Sequence, residues 1–82
     1  MHEYYFTFRS ITTAQRAREL LRRQKLPGVL LRTPKAMAGQ GCGHSLRVPA
    51  GAAEQAARLM RQEEIRFQRI YLPGDPPTEV YL

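Results

Sequence analysis

Two stretches of this chain repeat small or aliphatic residues at helical spacing, and each is bracketed by short β-prone runs. In the first, Ala14, Ala17, Leu20 and Leu21 form one stripe, while Arg16, Arg18, Glu19, Arg22 and Arg23 fall mostly on the remaining faces. A helix of that kind gains its stability by burying the stripe against another element. Thr12 with Gln15 three residues later is a capping-box pattern for its start, and Leu26-Pro27-Gly28 ends it. In the second stretch Ala53, Ala56, Ala57 and Met60 trace an inner face that runs on toward Glu64, with Glu54, Arg58, Arg61 and Gln62 outward. Its alanines leave room for close approach to a sheet.

The bracketing runs read as strands. Residues 3–8, EYYFTF, set Tyr4, Phe6 and Phe8 on one face and Tyr5 and Thr7 on the other. Residues 29–32, VLLR, are a short apolar strand. SLRV resumes at residue 45 and runs through Val48; Pro49, which has no N–H to give a ladder, marks the strand's end or the first turn of the next helix. Residues 66–72 alternate Phe67, Arg69 and Tyr71 against Gln68, Ile70 and Leu72. The order β-α-β-β-α-β predicts a ferredoxin-like α+β fold, a four-stranded antiparallel sheet with two helices on one face. One domain over residues 1–72 is expected, followed by a proline-rich tail over 73–82. For the tail two readings stand open: disorder, or pairing of TEVYL with a sheet edge, in this chain or in a partner.

A domain of 82 residues has a thin margin, because a chain this small buries only about 60% of the surface it exposes unfolded. One cysteine cannot make an internal disulfide, which suits a reducing compartment. MHEYYFTF has neither a basic n-region nor a long apolar h-region, and no run is long enough to span a membrane. A cytoplasmic protein without membrane attachment is the expectation. The formal net charge is +6, which raises nucleic acid as a partner. Eleven of the thirteen basic residues are arginine, spread from Arg9 to Arg69 without a dense block, so a solvated helical surface explains them as well.

Several chemistries are missing. There is no Walker loop, no dinucleotide fingerprint and no nucleophile elbow. The acidic residues offer no paired carboxylates. Cys42 and His44 with the remote His2 fall short of the three or four ligands a zinc site needs within one chain, so no metal or other cofactor is expected. What remains is GQGCGHSL, residues 39–46, which places the lone Cys42 among Gly39, Gly41 and Gly43. Glycine backbone N–H groups can converge on an anion, and Lys35, His44 and Arg47 lie close in sequence. Such surroundings lower a thiol's pKa. An incidental, exposed cysteine in a hairpin loop is the competing reading.

Three features in order carry a resemblance: YYFTFRSITTAQRARELL, VLLRTP, and the Cys-Gly signature CGHSLRV with Cys42, Gly43, Ser45, Leu46 and Arg47. The chain resembles the selenium/sulfur carrier-like proteins, small domains of unknown function, over nearly its whole length to about Leu72. The resemblance implies that Cys42 holds a sulfur or selenium atom as a persulfide or selenopersulfide. It implies that Gly43 lets the backbone approach and that Arg47 supports the anionic terminal atom, while Gly41 and His44 are expected to belong to the supporting loop on residue type alone. It further implies a sulfur or selenium donor or acceptor protein as partner. This chain departs from the family's pattern with Gln40 and Gly41 before the cysteine and His44 after the pair. A stoichiometric carrier, not an enzyme, is expected, and the small core and open sheet are compatible with a homodimer. Two other readings compete. One is an RNA-binding module using Tyr5 and an aromatic on the last strand, against which SLRV lacks the aromatics such readers carry. The other is a protein-docking domain indifferent to Cys42→Ser.

Overall fold

A computed structural model describes residues 2–38 and 43–82. The elements are β1 (Glu3–Phe8), α1 (Ile11–Arg23), β2 (Val29–Arg32), α2 (Lys35–Ala38), β3 (His44–Pro49), α3 (Ala50–Gln62), β4 (Arg69–Leu72) and β5 (Thr78–Val80). The strands form one antiparallel sheet in the order β2-β3-β1-β4-β5. The expected sheet of four strands therefore has a fifth, and the expected pair of helices a third. β5 comes from the proline-rich tail: Val80 pairs with Ile70 and Thr78 with Leu72, so of the two readings of TEVYL the chain uses pairing within its own sheet. This covers the β4 edge, which would otherwise present unpaired N–H and C=O groups.

The strand register explains where the core lies. Phe6 pairs with Leu46 on one side and Ile70 on the other, and Tyr4 with Val48. These residues share one face, because successive side chains alternate across a strand. Ala14, Ala17, Leu20 and Leu21 of α1 and Ala52, Ala53, Ala56, Ala57 and Met60 of α3 complete the same cluster. Both long helices thus lie on one face, as their stripes require. The additional helix, α2, is a single turn whose Met37 is buried outside that cluster.

The helix ends differ from the sequence reading in detail. The N-cap of α1 is Ser10, not Thr12: its hydroxyl accepts from the Thr13 N–H at 3.2 Å. This satisfies one of the free donors of the first turn. Both long helices stop through the same hydrogen-bond pattern. Leu26 N–H donates to Leu21 O and Lys25 N–H to Arg22 O; Ile65 N–H donates to Met60 O and Glu64 N–H to Arg61 O. That is the Schellman arrangement, which needs a left-handed residue. Lys25 (φ 59°) and Glu64 (φ 57°) supply it although neither is glycine. Glu64, which the helical period put on the inner face, is exposed because the helix has already ended at this turn, and Ile65 takes the buried place instead.

Candidate functional site

Cys42 and Gly41 lie outside the described residues. Their immediate frame is described, and it is tight. β1 ends at Phe8, which pairs with His44 at the start of β3, and Arg32 at the end of β2 pairs with His44 from the other side. Gly43 therefore stands where three strand ends meet. A Cβ built on it would fall well inside van der Waals contact of the Phe8 carbonyl oxygen. Only glycine lets the chain pass there without moving backbone. The Gly43 carbonyl accepts from Thr33 N–H at 3.0 Å, which ties the residue after Cys42 to the end of β2.

Beside Gly43 lies a feature the sequence reading did not single out. The Thr33 and Ser45 hydroxyls are 2.7 Å apart, one donating to the other, in a buried position. Ser45 alternates with Leu46, so the pair faces away from the two long helices. Thr7, the β1 partner of Ser45, is buried on the same face; its hydroxyl accepts from Arg69 N–H at 3.1 Å. The frame of the Cys42 loop is thus built partly from hydroxyls. The signal available beforehand was a threonine and a serine flanking the loop, at positions that strand alternation can bring to one face.

Of the other predicted site residues, His44 is half-buried at the mouth of the sheet. Arg47 is three residues further along β3, about 10 Å at the usual strand rise. It stands opposite Tyr5 and Val29, and its Nε lies 3.3 Å from Glu3 Oε1. That ion pair lacks hydrogen-bond geometry and leaves the Nε buried without an acceptor among the described residues. The structure does not bring Arg47 to Gly43 and His44. Lys35, in contrast, opens α2 on the segment that leads into the loop.

The aromatics of the alternative reading do meet. Tyr5 is directly opposite Tyr71, flanked by Arg47 and Arg69 on the face away from the helices. Both arginines already have carboxylate partners, Glu3 and, at 3.0 Å, Glu79. That removes much of the positive charge a nucleic acid would seek on this face. Among the described residues no three His, Cys, Asp or Glu side chains gather as a metal site would require. No described helix is long and apolar enough to cross a membrane.

No curated protein and no solved structure matches the chain. One family model does, over residues 3–72, which takes in the framework from β1 through β4 together with the Cys42–Gly43 segment. On that match the chain belongs to the family described as "putative Se/S carrier protein-like".

Proposed function

We propose that this protein is a stoichiometric chalcogen carrier with Cys42 as the acceptor. The Cys42 thiolate attacks the terminal sulfur of a donor persulfide. The donor's S–S bond breaks, its thiolate leaves, and Cys42 is left as a persulfide. An acceptor thiolate then attacks that terminal sulfur and Cys42 departs as thiolate. Selenium follows the same course as a selenopersulfide. Neither step needs an external oxidant or reductant.

The observation that supports this reading most is the family match over residues 3–72. The frame around Gly43 agrees with it, since glycine is demanded at the position after the cysteine. On this reading the backbone N–H groups of Gly41 and Gly43 are the donors to the anionic atom, with His44 as a further candidate. Arg47 is left out of that role because it is engaged with Glu3. The first four strands, in the order β2-β3-β1-β4, are read as a ferredoxin-like core to which β5 is added. A free acceptor thiol persists in reducing surroundings, so a cytoplasmic setting goes with this function, and the lability of a persulfide toward thiols calls for a protein donor or acceptor.

The test is intact-mass measurement after incubation with a low-molecular-weight persulfide. The wild-type chain is expected to gain one sulfur atom and to release it to an added thiol, while Cys42→Ser gains none. A wild-type chain that stays at its starting mass, or a Cys42→Ser chain that gains the same increment, overturns the reading.

A further inference from the structure

The arginines that are scattered along the sequence converge in space. Arg22, Arg47 and Arg69 are each paired with a carboxylate. Arg9, Arg16, Arg61 and Arg66 are among those with no carboxylate at ion-pair distance among the described residues. Three of these, Arg9, Arg16 and Arg66, line one open cleft of about 690 Å³ with Thr13, Phe67 and a single carboxylate, Glu64. Arg9 follows β1, Thr13 and Arg16 stand on the first turns of α1, and Arg66 and Phe67 connect α3 to β4. The cleft therefore lies where β1 ends, at the end of the sheet that also holds Gly43. Gln68, next in its wall, donates its N–H to Thr7 O at 2.6 Å and fixes the connection to β1.

Like charges gathered without counter-charge repel one another, and a bound anion relieves that repulsion. Guanidinium groups present planar forks that suit phosphate oxygens in pairs. Three guanidiniums against one carboxylate leave a surplus of two positive charges. A phosphomonoester carries about −1.5 to −2 at neutral pH, which matches that surplus. The cleft is also far larger than a bare ion needs and falls within the range of about 300–1,000 Å³ typical of small-molecule sites. Its apolar wall is Phe67, half-buried with its ring edge-on to Phe6 at 5.2 Å. Arg61 lies 5.3 Å from the Phe67 ring centre and lines an adjoining recess that shares Glu64, Arg66 and Phe67 with the cleft.

We propose that this cleft binds a small phosphomonoester, with the phosphate held by Arg9, Arg16 and Arg66 and the organic part against Phe67. The site is separate from Cys42 in its chemistry and does not depend on the carrier reading.

Calorimetric titration of the full chain at low salt with AMP, adenosine and inorganic phosphate tests it. AMP and inorganic phosphate bind saturably, and adenosine binds at least about tenfold more weakly than AMP. Arg9→Gln and Arg66→Gln each weaken AMP binding about tenfold, as expected for loss of a charge-assisted contact. Arg58→Gln, exposed on α3 outside the cleft, leaves the affinity within about twofold. Cys42→Ser retains AMP binding, so failure of the carrier reading and failure of this one are distinguishable. All these arginines are exposed, and unchanged thermal melting shows that the substitutions leave the fold intact. Absence of saturable AMP binding overturns the proposal. So does an equal loss from Arg58→Gln and Arg9→Gln, or an oligonucleotide that binds more tightly than AMP with that same spread of losses. Either spread would mean attraction to a basic surface without a cleft.

Discussion

The two faces of the sheet are held by different chemistry. The face under α1 and α3 is dry and apolar: Phe6, Phe8, Leu46, Val48 and Ile70 meet a bed of alanines, two leucines and Met60. The other face carries Tyr5, Tyr71, the ion pairs Arg47–Glu3 and Arg69–Glu79, and the hydroxyls of Thr7, Thr33 and Ser45. Burial is common to both, since Ser45 is as inaccessible as Phe6. What differs is how burial is made tolerable. Apolar atoms gain simply by leaving water, whereas a buried hydroxyl must find a partner or cost the fold its desolvation. Geometry is therefore demanded more strictly on the second face, and that is the face from which the hydroxyl pair supports the Gly43 segment.

The largest effect should come from the apolar face. Phe6 is fully buried at the centre of the sheet, between Leu46 and Ile70 and edge-on to Phe67. Phe6→Ala is expected to lower stability by about 3–5 kcal/mol in urea unfolding, the range for emptying a large aromatic site. Its neighbour Tyr5, half-buried on the other face, should cost less than half as much when cut to alanine. Equal losses would mean that the second face is packed as tightly as the first.

Next in size is Gly43→Ala. One added carbon meets the Phe8 backbone oxygen, so β1 and β3 must separate where they begin to pair. Overpacking against backbone, which cannot rotate away, is expected to cost about 2–3 kcal/mol. If Gly43→Ala instead melts like the wild type, the strand ends yield to the added carbon and the glycine is not held there by packing.

The hydroxyl pair gives a smaller effect and sharpens the comparison further. Ser45→Ala strands the buried Thr33 hydroxyl and is expected to cost about 2 kcal/mol; Thr33→Val strands Ser45 at a similar cost. The double substitution removes both polar atoms, so it should cost clearly less than the two singles added together. Strict additivity would mean that the two hydroxyls act independently and that the second face is not organised by pairing.

The two faces also differ in how far the sequence reveals them. β1 falls where alternation placed it, β2 where a short apolar run did, and the stripes of α1 and α3 are the buried ones, because such patterns are written in consecutive residues. α2 has one turn, too short for any period, and it follows directly on Pro34, a residue that punctuates a chain. Thr33 and Ser45 are twelve residues apart, and Arg9 and Arg66 much further. Only the register of β2, β3, β1 and β4 brings each set together. The same holds for the start of α1, where Ser10 and Thr12 are both competent caps and the three-dimensional course of the chain selects Ser10. Cys42 is legible by elimination as the one thiol in a glycine-rich loop, but the strand-end crowding that makes Gly43 obligatory is a contact between residues 35 positions apart.

The smallest expected effect tests the apolar face from its rim. α1 and α3 both turn down onto their hydrophobic C-terminal anchors, Leu26 and Ile65, through a left-handed residue that is not glycine. For an L-residue with a side chain that conformation costs about 1–2 kcal/mol. Glycine relieves the cost but loses about 0.4–1 kcal/mol through the greater freedom of its unfolded chain. Lys25 is exposed and has no ion-pair partner among the described residues, so nothing else is lost with its side chain. Lys25→Gly should therefore raise stability by about 0.5–1 kcal/mol, read as a higher urea midpoint at unchanged slope. A fall in the midpoint would mean that the Lys25 side chain stabilises the turn directly, and that the apolar face draws on its rim as the opposite face draws on its ion pairs.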